Sequence, residues 1–198
     1  MQIKEFFPTP IYINQNRDDD FNHHLNELEE KIEKSDLLFD SSSYEHGYTS
    51  YFNNNNLQSL SETRNLCLHI VSNCRQYMKQ LGYADDIEFG ITSLWVSKQC
   101  QGAEHQLHNH RMSFISGTYY SLANDNCARL MFQSPLEHLK MNWPVSDFDS
   151  LYNRDDEYIL PKTGTIVLFP SFLNHRVEEH KSTDNRIAWS FNINLIKY

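Results

Sequence analysis

The sequence predicts a mainly β protein of the α+β kind: an antiparallel sandwich or barrel with N-terminal helices packed on one sheet. Three observations carry this. Two amphipathic helical stripes lie before residue 82, and no helix-length pattern follows. Beyond that point, short runs rich in β-branched and aromatic residues recur between Gly, Pro, Asn and Asp. The last run, RIAWSFNINLIKY (186–198), alternates apolar and polar along its length. Helices in one block and strands in another give segregated layers.

Taken in order, FFPTPIYINQ opens with a short strand in which Pro8 and Pro10 interrupt Phe6, Phe7, Ile11 and Tyr12. Residues 20–34 place Phe21, Leu25, Leu28 and Ile32 on one helical stripe, with Asp18, Asp19 and Asp20 before it, where negative charge favours a helix start. Residues 59–81 repeat the pattern with Cys67, Ile70, Val71, Cys74, Met78 and Leu81; Ser59 or Ser61 could cap this helix and Gly82 end it. The polar stretch 41–56 between the helices reads as a loop. Strands are expected over 88–98, 113–122, 129–133, 164–169 and 186–196. Gly117 reads as a close-packing position and Gly164 as a turn. The long connection 136–160, with Trp143, Phe148 and Asp155-Asp156-Glu157, has the length of a lid or binding loop. In the final strand, Ile187, Trp189, Phe191, Ile193 and Leu195 share one face, and Arg186, Ala188, Ser190, Asn192 and Asn194 the other. One face therefore meets a core and the other a polar cavity or water.

A length of 198 residues suits a single domain over 1–198, helical over about 1–85 and strand-rich over about 86–198. The net charge of −9 disfavours general binding to nucleic acid or anionic membranes. No apolar run has the length of a membrane span, and the N-terminal residues do not read as a signal peptide. Cys67, Cys74, Cys100 and Cys127 form no CxxC pair, so a zinc ribbon or redox motif is not expected. Cys67 and Cys74 share a helix face as core residues. All four read as reduced thiols in a cytoplasmic protein.

The densest group of metal-type ligands is EHQLHNH (104–110). On an extended segment His108 and His110 project to the same side and can share one metal ion. The best third ligand is His175, presented by a turn after the run Thr165–Phe169. Imidazole suits iron, zinc, copper and nickel alike. Arg186 follows at the start of the next strand, where a guanidinium can hold a carboxylate through two parallel hydrogen bonds. Ser190 lies on its face, and one phenol of Tyr119-Tyr120 should point inward. His105 should point away from the pair on a regular strand, and Glu104 could reach a metal only if the backbone bulged. His23, His24, His46, His69, His138 and His180 read as surface or packed residues. Trp95 and Trp189 read as core, with Trp95 the better placed to touch the site.

The segments HNHRMSFISGTYYSL, RLMFQSP and PKTGTIVLFPSFLNHRVEEHKSTDNRIAWSFNINL, in that order, resemble a small family of 2-oxoglutarate/Fe(II)-dependent oxygenases of bacteria and phages, relatives of prolyl hydroxylases. The likeness runs from Trp95 to Asn194, and FFPTPIY and GYTSY share it. It implies a double-stranded β-helix, or jelly roll, with Fe(II) held by His108, His110 and His175. It implies 2-oxoglutarate as cosubstrate on Arg186, with Tyr120, Ser116 and Ser190 lining its pocket, and ascorbate as a possible accessory. His110 stands where such sites usually carry a carboxylate, so the ligand set is neutral. Ala188 stands where relatives with an Arg-x-Ser pair carry a hydroxyl. The expected reaction is hydroxylation of a C–H bond in a protein side chain or metabolite, by a monomer or a homodimer. Two other readings stay open: a cupin-like three-histidine dioxygenase that needs no 2-oxoglutarate, and a metal-stabilised binding or structural module without catalysis.

Overall fold

Strand pairing organises the molecule. The structure, a computed structural model, describes residues 2–5, 7–35, 39–40, 46–137, 144, 150 and 152–197. Phe6, residues 41–45 of the stretch 41–56, His138, Trp143 and Phe148 lie outside them. Among the described residues the strands form two antiparallel sheets. The major sheet runs β1 (Tyr12–Gln15), β9 (Thr165–Pro170), β6 (Ile115–Leu122), β11 (Arg186–Lys197), β4 (Glu88–Gln99), β3 (Gly47–Thr49), β2 (Phe39–Asp40). The minor sheet runs β5 (His105–His108), β10 (His175–Val177), β7 (Leu130–Gln133), β8 (Asp156–Ile159). This is the jelly-roll layout with helices on one sheet.

Strand β11 divides the interior in two. Ile187, Trp189, Phe191 and Ile193 pack with Leu25 and Leu28 of α1 (Asp19–Glu33) and Ile70 and Cys74 of α2 (Arg64–Gln80). Ala188, on the opposite face, packs between the sheets with Tyr120, Leu130, Phe132, Val167, Phe169 and Val177. The central major strands are thus buried on both faces, which is why 115–121 is buried at every position. Fully burying one such large side chain contributes about 1.5–3 kcal/mol. Tyr119 turns toward the helices, where Asn22 accepts its hydroxyl at 2.5 Å; Tyr120 turns between the sheets.

Local chemistry sets the boundaries. Asp18 caps α1 by accepting from the Phe21 N–H at 3.0 Å. Ser59 and Ser61 do not cap α2; they sit in two short 3₁₀ turns, and the helix begins at Arg64 after Thr63, whose hydroxyl donates to the carbonyls of Leu57 and Leu60. Gly82, at φ +82°, ends it. The segment 41–56 holds a strand after all, since β3 pairs with β4 across Thr49 and Ser97. Likewise β8, within 136–160, pairs with β7. Gly117 has no room for a side chain: a Cβ there would lie 2.6 Å from the Val167 carbonyl oxygen and the Phe191 ring. No helix of the described residues is long and apolar enough to cross a membrane.

Candidate metal centre and anion pocket

Register in the minor sheet brings the histidines together. His175 on β10 lies directly opposite His108 on β5. His110 follows β5, and its N–H donates to the Ser171 carbonyl at 3.0 Å, which ties it to the turn before His175. Asn109 and Asn174 join the same two segments through a 2.7 Å side-chain hydrogen bond, and Asn174 donates in turn to Gln133 at 3.1 Å. One ring nitrogen from each of His108, His110 and His175 lies within 4.8 Å of the others.

The rings are prepared as ligands. Nδ1 of His108 lies 2.8 Å from the Gln106 carbonyl, and Nδ1 of His175 lies 3.0 Å from the Leu173 carbonyl. A carbonyl only accepts, so each Nδ1 carries the proton and each Nε2 keeps a lone pair for a metal. Burial holds all three in the neutral form. It lowers the His108 value, brings His110 to about 4 and takes His175 well below the usual histidine range, with the neighbouring rings adding to the effect at the last two. Neutral imidazoles in a facial group suit a first-row divalent ion.

The same cavity is lined by Arg186, which is 2% exposed. Its guanidinium donates to the Gln99 side-chain carbonyl and, at 3.2 Å, to the Tyr120 hydroxyl. Its Nε is buried with no partner, and no carboxylate of the described residues pairs with it. A buried, unneutralised cation with a spare donor suits an entering carboxylate. Burial raises the Tyr120 hydroxyl above its ordinary value, against the pull of Arg186, so it stays protonated. The donor set therefore fits both a metal ion and, at Arg186, an acid.

The other expected site residues fall as follows. Ser190 lines the cavity and donates to Thr118 at 3.4 Å. Ser116 does not line it; its hydroxyl donates to Asn192 at 2.8 Å and meets Ser171 at 2.7 Å, next to the carbonyl that anchors His110. Trp95 lines the cavity, its ring centroid 5.8 Å from that of His110. Gln99 went unnoticed in the sequence. The signal was there: Ser93, Trp95, Ser97 and Gln99 share one face of a strand whose other face holds Leu94 and Val96. His105 lines the cavity, and Glu104 is exposed.

The comparisons with known proteins agree with this geometry. Residues 93–192 match the family model described as "Putative 2OG-Fe(II) oxygenase". No curated protein matches the sequence. Among solved structures, a Pseudomonas putida prolyl-4-hydroxylase is similar with a TM-score of 0.62 at 12% identity, over 93% of this chain and 92% of that one. HygX from Streptomyces hygroscopicus, solved with nickel and 2-oxoglutarate bound, gives 0.63 at 9% identity over 96% and 84%. The non-haem α-ketoglutarate-dependent epimerase SnoN of nogalamycin biosynthesis gives 0.68 at 10% over 94% and 76%. At these identities the structures establish a shared fold, whereas the family model covers half of the chain and every residue of the cavity wall from Trp95 to Ser190. The chain belongs to the 2OG-Fe(II) oxygenase family, whose members depend on Fe(II) and 2-oxoglutarate.

Proposed function

We propose that His108, His110 and His175 hold the Fe(II), that Arg186 and Tyr120 hold the far carboxylate of 2-oxoglutarate, and that the enzyme hydroxylates a C–H bond of a protein side chain or small metabolite. The observation that carries this reading is a facial set of three neutral imidazoles sharing one cavity with a buried guanidinium that no carboxylate of the described residues neutralises. Bound together, iron and 2-oxoglutarate would supply the means to activate dioxygen, one oxygen atom going to the substrate C–H bond and the other to succinate as 2-oxoglutarate loses carbon dioxide. The chain's own residues do the positioning. The Gln106 and Leu173 carbonyls fix two imidazole tautomers, and Ser116 holds Ser171, whose carbonyl anchors His110. Gln99 orients Arg186, and Ser190 and Thr118 present hydroxyls along the wall of the same cavity. Trp95 closes the cavity beside His110 and limits water there.

The helices share a core with the major sheet, which supports reading 1–198 as one oxygenase domain. Four unbridged cysteines fit a reducing compartment such as the cytoplasm.

The test is calorimetric titration of 2-oxoglutarate into the Mn(II)-loaded protein without oxygen. Arg186→Ala should weaken binding by about 2–5 kcal/mol, tens- to thousands-fold, because it removes a buried charged partner. Metal affinity should persist in that variant and be lost in His175→Ala. Unchanged 2-oxoglutarate affinity in Arg186→Ala would end the Arg186 assignment. For the reaction type, a product epimerised or cyclised without an added oxygen atom would overturn the hydroxylase part.

A further inference from the structure

A β-bulge gives the cavity a fourth histidine. Strands β5 and β10 pair His108 with His175 and His105 with Val177, so three steps along one strand match two along the other. One extra residue at Gln106-Leu107 breaks the alternation that would have turned His105 away from His108. Both rings now face inward, with centroids 4.1 Å apart, and His105 lines the cavity together with Arg186. The extra residues pay the local cost in exposure: Leu107 is 45% exposed, an apolar side chain turned to solvent so that its neighbours can point in. Bulges beside active sites re-aim side chains in this way.

His105 is not one of the three rings that converge as metal ligands. It lies opposite Val177, two residues along β10 from His175, and lines the cavity together with Arg186. On the major sheet, the position two after Arg186 is Ala188, whose methyl group packs in the core and donates nothing.

Resting on the 2-oxoglutarate reading above, we propose that His105 is a further cosubstrate-binding residue, whose ring N–H donates to the carboxylate held by Arg186 and supplies from the minor sheet the donor that Ala188 cannot supply from the major one. A neutral imidazole always carries one such N–H. The carboxylate is then gripped from both sheets.

The experiment titrates 2-oxoglutarate and pyruvate, a keto acid without the far carboxylate, into Mn(II)-loaded wild type, His105→Ala and His105→Gln. A hydrogen bond to a charged group is worth about 1.5–3 kcal/mol, so His105→Ala should weaken 2-oxoglutarate binding about ten- to hundredfold. His105→Gln, which keeps an N–H donor, should recover part of the loss. Pyruvate affinity and Mn(II) affinity should be the same in all three proteins. Unchanged 2-oxoglutarate affinity in His105→Ala overturns the proposal, as does an equal loss for pyruvate, which would move the contact to the metal end. A fall in Mn(II) affinity matching that of His110→Ala also overturns it, by making His105 a metal ligand. If wild type itself binds Mn(II) but no 2-oxoglutarate, the cosubstrate reading fails, and His105 with it.

Discussion

His180 is fully buried, yet both ring nitrogens are satisfied. Nδ1 accepts the Ala128 N–H at 3.1 Å, so the proton sits on Nε2, which donates to the Asp184 carbonyl at 2.6 Å. Its backbone pairs with Gly102 and Ala103, just before β5. One residue, through its ring and its backbone, therefore ties together the approaches to β5, β7 and β11, the strands that carry His105, Leu130 and Arg186 into the cavity. Replacing it with Leu would leave the buried Ala128 N–H without its acceptor, at about 1–3 kcal/mol. His180→Leu should lower the urea midpoint accordingly and His180→Gln less; equal midpoints for wild type and His180→Leu would refute this. None of it was legible in the sequence, where His180 is one of six histidines without a ligand-like partner. His108, His110, His175 and Arg186 were legible because their spacing and strand positions carry chemistry. His105 was misread because alternation is a rule for regular strands, and a bulge leaves no mark in residue type.

Among the elements, α1 carries an electrostatic cost. Glu29 faces the sheet at 1% exposure, with neither carboxylate oxygen hydrogen-bonded and Lys98 3.9 Å away, nearer to Glu33 at 2.9 Å. Burial raises the Glu29 carboxyl to about 7, partly offset by Lys98. Between about pH 4.5 and 7 the folded chain keeps a proton that the unfolded chain releases, so this residue makes stability fall as pH rises through that window. Glu29→Gln should stabilise the protein by about 1–3 kcal/mol at pH 8 and change little at pH 4. Urea denaturation at the two pH values checks it, and an equal effect at both would sink the assignment. The turn before β9 is equally specific. Gly164 has φ +83°, and a Cβ there would lie 1.8 Å from the Asn16 carbonyl oxygen. Gly164→Ala should cost about 3 kcal/mol or more, read as a lower melting temperature, because left-handed strain and a backbone clash add. Helices α1 and α2 and strands β4, β6, β7, β9 and β11 could be read from periodicity, since each has an apolar face to bury. Strands β2, β3 and β8 could not. They are two to four residues long and lie toward the sheet edges, where pairing is decided by the neighbouring strand.

At the scale of the molecule, the cavity is built from two sheets with separate duties. The minor sheet and its adjoining turns supply His105, His108, His110 and His175; the major sheet supplies Arg186, Tyr120 and Gln99. A ligand held at both ends bridges the sheets, so it should stabilise the whole fold and not just its own pocket. At about a hundred times its Kd, a ligand adds about 2.7 kcal/mol, or roughly 5–10 °C in a chain of this size. Mn(II) with 2-oxoglutarate should therefore raise the melting temperature more than either alone in differential scanning fluorimetry; a shift no larger than that of Mn(II) alone would count against bridging. The fold class was legible from this same division, helices first and strands after. The pairing of strands was not, because contacts between residues as distant as Gln99 and Arg186 depend on register. The unneutralised guanidinium at the base of the cavity has a consequence for kinetics. Succinate keeps the far carboxyl group and lacks the keto acid, so on the proposed assignment the grip that would recruit the cosubstrate would also retain its spent form. Throughput would then track the balance of fresh and spent acid, and the enzyme would slow as its own waste accumulates even while fuel remains plentiful.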